Sequence, residues 1–73
     1  MLINLMAEMT RYGITASDIS PVINKDVRAV KRRISGDIEI TAEDIMKIRD
    51  KFFQEFSLDY LLCEKPVPPI HTA

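Results

Sequence analysis

The chain has 73 residues, 47% hydrophobic and 29% charged, with 10 Lys and Arg against 11 Asp and Glu and a net charge of −1. That is one small domain with a thin core, since folding at this length buries only about 60% of the surface of the unfolded chain; no run of about 20 apolar residues is present to span a membrane, and Met1-Leu2-Ile3-Asn4-Leu5-Met6 lacks the charged start of a secretory leader. With Cys63 the only cysteine, His71 the only histidine and Gly13 and Gly36 the only glycines, there are no parts for an internal disulfide, a zinc site, a catalytic triad or a glycine-rich phosphate loop.

The first helix is expected over residues 2–12, where Leu2, Leu5, Met6, Met9 and Tyr12 recur at the spacing of one helical face and Gly13 supplies the stop. Thr15, with Asp18 three residues on, reads as the capped start of a second helix over about Ala16–Ile23, with Ile19, Val22 and Ile23 inward. Pro21 lies past the first turn and removes a bond to the Ser17 carbonyl, so a local distortion or partly 3₁₀ geometry is expected there. Asn24 tolerates a left-handed turn, and Asp26 caps a third helix from Val27 to about Ser35, stopped by Gly36, with Val30 and Ile34 inward. Thr41 opens a fourth helix, again with a carboxylate three residues later at Asp44. Its core stripe is Ile45, Ile48 and Phe52, with Met46 and Phe53 beside it. Ser57 caps a final short helix, Leu58–Leu62. No segment alternates over a strand's length, so the fold class is all-α with five helices. Residues 1–63 form the domain, and residues 64–73, with three prolines in four positions, are expected to be a disordered tail in which His71 is solvated.

Charge is distributed unevenly. Lys25, Arg28, Lys31, Arg32 and Arg33, half of the ten cations, fall in nine residues that hold one carboxylate, Asp26. The rest of the chain is acidic. A basic stretch of this kind is either a solvated helix face or an anion-binding surface. Its setting favours the second. The second and third predicted helices are joined by a turn of the length found in helix-turn-helix pairs. The second member of such a pair enters the DNA major groove with its N-terminal side chains on base edges. Here that half carries Val27, Arg28, Lys31 and Arg32. Arginine can bond both guanine acceptors at once, and an aliphatic methyl can meet the thymine methyl. Backbone amides at the start of the second helix, around Ala16 and Ser17, suit a phosphate.

The stretch Gly13-Ile14-Thr15-Ala16-Ser17-Asp18-Ile19-Ser20-Pro21-Val22-Ile23-Asn24-Lys25-Asp26-Val27-Arg28-Ala29-Val30-Lys31-Arg32-Arg33-Ile34-Ser35-Gly36 resembles the lambda-repressor-like, Xre/Cro-type helix-turn-helix domains of bacteria and phages. The closing Phe56-Ser57-Leu58-Asp59-Tyr60-Leu61-Leu62 and the opening Asn4-Leu5-Met6-Ala7-Glu8-Met9 resemble the last and first helices of small prophage members. The likeness covers about residues 2–63. It implies a five-helix domain, and a cytoplasmic, nucleoid-associated regulator of transcription that binds operator DNA as a symmetric homodimer. Carried over by position, the DNA-binding residues are Ser17, Lys25, Val27, Arg28, Lys31, Arg32 and Ser35, with a recognition helix at about 27–35. Pairing through the last helix is implied, with some of Phe52, Phe53, Phe56, Tyr60, Leu61 and Leu62 facing a partner chain. The resemblance implies no enzyme activity, cofactor, metal or membrane. Three positions depart from the pattern: Ala16 stands where many members carry glutamine, Pro21 replaces a helix former, and Arg33 stands where an apolar residue is common. Arg33 is expected to lay its stem on the core and send its guanidinium to a phosphate. The alternative reading is a protein-interaction module that keeps the fold without specific DNA readout.

Overall fold

Five α-helices follow one another in the computed structural model, which describes residues 1–64: α1 (Ile3–Tyr12), α2 (Ala16–Ile23), α3 (Val27–Ser35), α4 (Ala42–Phe52) and α5 (Leu58–Leu62). No strand occurs among the described residues, and the chain is all-α. The tail expected at residues 64–73, His71 included, lies outside the described residues except for Glu64.

The helix ends follow local chemistry. Gly13 closes α1 in the left-handed region (φ 69°), its amide bonding the Thr10 carbonyl at 3.3 Å while the Ile14 amide reaches the Met9 carbonyl at 2.8 Å. Thr15 and Asp18 cap α2 reciprocally: the Thr15 amide donates to Asp18 Oδ2 at 2.9 Å, and the Asp18 amide donates to Thr15 Oγ1 at 3.3 Å. Asn24 (φ 57°) ends α2, Asp26 caps α3 by accepting from the Ala29 amide at 2.7 Å, and Gly36 (φ 96°) ends α3. The distortion expected at Pro21 does not occur: α2 is α-helical throughout. Pro21 and Ser17 are both exposed, and the helix is capped at both ends by Thr15 and Asn24.

α2 packs between α3 and α4, while α1 lies against α5 and the end of α3. Leu2, Leu5, Ile19, Ile23, Val30, Ile34, Ile45, Ile48, Phe53, Phe56 and Leu61 form the core. Several expectations are corrected here. Met6 and Tyr12 are exposed (37% and 48%), and α1 instead buries Asn4 and Glu8 beside Leu5. α5 supplies the reason: Asn4 Nδ2 donates to the Tyr60 carbonyl at 3.0 Å, and the Tyr60 hydroxyl donates to Glu8 Oε2 at 2.7 Å. In α4 the stripe runs through Phe53 rather than Phe52. The chain leaves the helix at Phe53 and turns that ring inward against Tyr12 and Phe56, with centroids 5.9 and 6.2 Å away, while Phe52 is half-buried and Met46 exposed. Phe53, Phe56 and Leu61 all fit inside the single chain, leaving Leu62 as the exposed member of the group expected to face a partner.

Candidate nucleic-acid interface

α3 divides cleanly by register. Val30 and Ile34 are buried against the core, and on the opposite side Arg28, Lys31, Arg32 and Ser35 follow at three- and four-residue spacing, all exposed. Val27 differs from its expected placement. It is half-buried and packs on the core, so its side chain forms the edge of this face and not its centre. The Ser35 hydroxyl donates to the Arg32 carbonyl at 3.0 Å, within its own helix.

Pairing separates the five clustered cations into two groups. Among the described residues, Arg28, Lys31 and Arg32 have no carboxylate partner within ion-pair distance. The other two turn inward. Lys25 Nζ lies 3.3 Å from Asp44 Oδ2, and Arg33 Nε lies 3.7 Å from the same oxygen. Arg33 also donates to the Ala29 carbonyl at 3.1 Å, so its guanidinium is tied to α3 and α4 and does not snorkel outward as expected. Asp44 is only 5% exposed at its side chain and heads α4, where its amide donates to Thr41 Oγ1 at 3.1 Å. One buried carboxylate therefore joins the turn after α2, the last turn of α3 and the start of α4. Sequence reasoning treated Asp44 as a cap alone.

Nine Lys and Arg side chains lie in the described residues. Five take ion pairs: Arg11 with Glu8, Lys25 and Arg33 with Asp44, Lys47 with Glu43, and Arg49 with Asp50. Of the remaining four, three form the outer face of α3 and the fourth is Lys51. A helix is about 10–12 Å across with its side chains, and the DNA major groove is about 12 Å wide. The outer face of α3 thus carries three exposed cations without a carboxylate partner among the described residues.

The start of α2 contributes less. Ser17 is exposed in the first turn, and the Ala16 and Ser17 amides have no acceptor among the described residues. The Asp18 carboxylate, however, already occupies the positive end of this helix through its bonds to Thr15. A phosphate there would meet a like charge.

No helix among the described residues is long and apolar enough to cross a membrane. No family model, curated protein or solved structure matches the chain.

Proposed function

We propose that the chain is a lambda-repressor-like helix-turn-helix domain and a sequence-specific DNA-binding regulator of transcription, with α2 as the supporting helix and α3 as the one that enters the major groove. The single observation that carries this reading is the exposed, unpaired set Arg28, Lys31 and Arg32 on a helix whose opposite side is buried through Val30 and Ile34. Arg28 and Arg32 are assigned to guanine edges or phosphates, and Lys31 and Ser35 to the backbone; Ser17, beside the Asp18 carboxylate, is not assigned a phosphate. Val27 meets a thymine methyl at the rim. A protein of this kind works in the cytoplasm on the nucleoid as a homodimer, and exposed Leu62 on α5 is where the second copy is expected to meet the first. It represses or switches by occupying an operator and carries out no reaction.

The test is the double substitution Arg28→Ala and Arg32→Ala. Both side chains are exposed, so far-ultraviolet circular dichroism is expected to be unchanged, while retention of duplexes chosen from a random DNA pool is lost. A double variant that still protects a defined site would sink the assignment. A second reading, a protein-interaction module without DNA readout, draws support from Asp18 occupying the start of α2. A wild-type chain that retards no duplex even at low salt would establish that reading in place of the first.

A further inference from the structure

Resting on the DNA-binding reading, we propose that Asp44 is a positioning residue that withholds two of the five clustered cations, Lys25 and Arg33, from the nucleic acid. It thereby confines backbone attraction to the outer face of α3. Lys25 lies in the turn between α2 and α3, where an unengaged amine would sit beside the groove face and could swing to a phosphate. Instead its Nζ points to Asp44, 3.3 Å from Oδ2 and 3.5 Å from Oδ1, and the lysine side chain is only 30% exposed. Arg33 reaches the same oxygen from the other side at 3.7 Å and is 17% exposed. Its guanidinium is held a second time by the Ala29 carbonyl. One carboxylate between two cations leaves the cluster with a local charge of +1, so it is not itself a strong repellent of DNA. What it removes is freedom: both cations are tethered to Asp44 at the head of α4.

Freedom has a readable consequence. Each phosphate neutralised by a mobile cation releases condensed counterions, so the logarithm of the binding constant falls with the logarithm of salt by about 0.9 per contact. A tethered cation makes no such contribution. Lys25 should therefore be silent in the wild-type chain and become audible once Asp44 loses its charge. A residue that merely stabilised the fold would change stability without making the lysine's contribution conditional on Asp44.

The experiment measures the salt slope for the full chain on sheared, mixed-sequence double-stranded DNA by fluorescence anisotropy, with circular dichroism on each variant. Four chains are compared: wild type, Lys25→Gln, Asp44→Asn, and the double variant. The expected result is that Lys25→Gln keeps the wild-type slope. Asp44→Asn steepens it by about 0.9–1.8, one or two added contacts, and adding Lys25→Gln to Asp44→Asn takes back about 0.9. A shallower slope in Lys25→Gln alone overturns the proposal, and that arm decides even if Asp44→Asn fails to fold, because Lys25 is partly exposed. Equal slopes in wild type and a folded Asp44→Asn also overturn it. A wild-type chain that binds no DNA at any salt concentration overturns the DNA-binding reading itself, which is a distinguishable failure.

Discussion

Tyr60→Phe removes one oxygen atom and tests how α5 is held to α1. The Tyr60 hydroxyl donates at 2.7 Å to Glu8, whose side chain is completely buried. The other polar neighbour of that carboxylate is Arg11, 3.5 Å from Oε1 and mostly exposed. A hydrogen bond to a charged group contributes about 1.5–3 kcal/mol, and removing the donor strands a desolvated acceptor, so a value within that range applies. A loss of about 2 kcal/mol is large for 73 residues, where total stability on a per-residue basis is about 4–11 kcal/mol. With a urea dependence near 1 kcal/mol per molar for so small a chain, the unfolding midpoint should fall by about 2 M. The difference between the two chains should also vanish at high pH. Burial, then the hydrogen bond and charge of Glu8, push the Tyr60 phenol from 10.0 up to about 12. The folded state thus holds this proton more tightly than the unfolded one. The resulting stabilisation is whole below pH 10 and is lost as pH rises toward 12. Urea titrations of both chains at pH 7, 10 and 11.5 check this. A midpoint at pH 7 within about 0.3 M of wild type would refute the reasoning, because Glu8 would then have found an equal partner elsewhere.

Three further outcomes follow from backbone geometry. Gly36→Ala should lower stability by about 1–3 kcal/mol in a thermal melt, since the residue sits at φ 96° and an added methyl would lie 2.7 Å from the Met1 nitrogen. Asn24→Gly should be close to neutral and Asn24→Ala should cost about 1 kcal/mol by urea unfolding, because the position is left-handed at φ 57°. Pro21→Ala should raise the melting temperature, by the equivalent of about 1 kcal/mol, as the restored amide bonds the Ser17 carbonyl within α2; an unchanged or lower melting temperature would show that the proline's rigidity matters more than the missing bond.

The α2–α3 pair was legible because its punctuation is local. Thr15 with Asp18, Asn24, Asp26 and Gly36 each act within four residues, and each does in the structure what its spacing implies. The α1 face was not legible, because the burial of Asn4 and Glu8 depends on Tyr60, more than fifty residues away. Apolar spacing alone favoured Met6 and Tyr12 over two polar residues whose partners it could not show. Asp44 makes the same point more sharply. Thr41-Ala42-Glu43-Asp44-Ile45 repeats Thr15-Ala16-Ser17-Asp18-Ile19 in all but one position. Both threonines cap, yet Asp18 folds back onto Thr15 while Asp44 goes to Lys25 and Arg33. A signal was present: Asp44 stands one turn before Ile48, on the apolar side of α4, where a carboxylate must find a cation. Of the predicted interface, the outer face of α3 was placed correctly as exposed. The occupation of Lys25 and Arg33 depended on that unseen contact.

The arrangement of charge on α3 also bears on the proposal that the partner is a polyanion. On α4, by contrast, an exposed cation finds a carboxylate one turn away, as Lys47 does in Glu43. On α3 the residues one turn from Arg28 are Lys31 and Arg32, both cations. Like charges at such spacing destabilise a helix by about 0.2–0.5 kcal/mol per pair. The fold thus concentrates like charge on the outer face of α3, opposite buried Val30 and Ile34, and an acidic residue at position 31 or 32 would relieve it without disturbing that packing. Among the described residues no carboxylate lies within ion-pair distance of these three cations. Under the proposed function a duplex backbone, with a negative charge about every 1.7 Å along its axis, would supply the missing counter-charge.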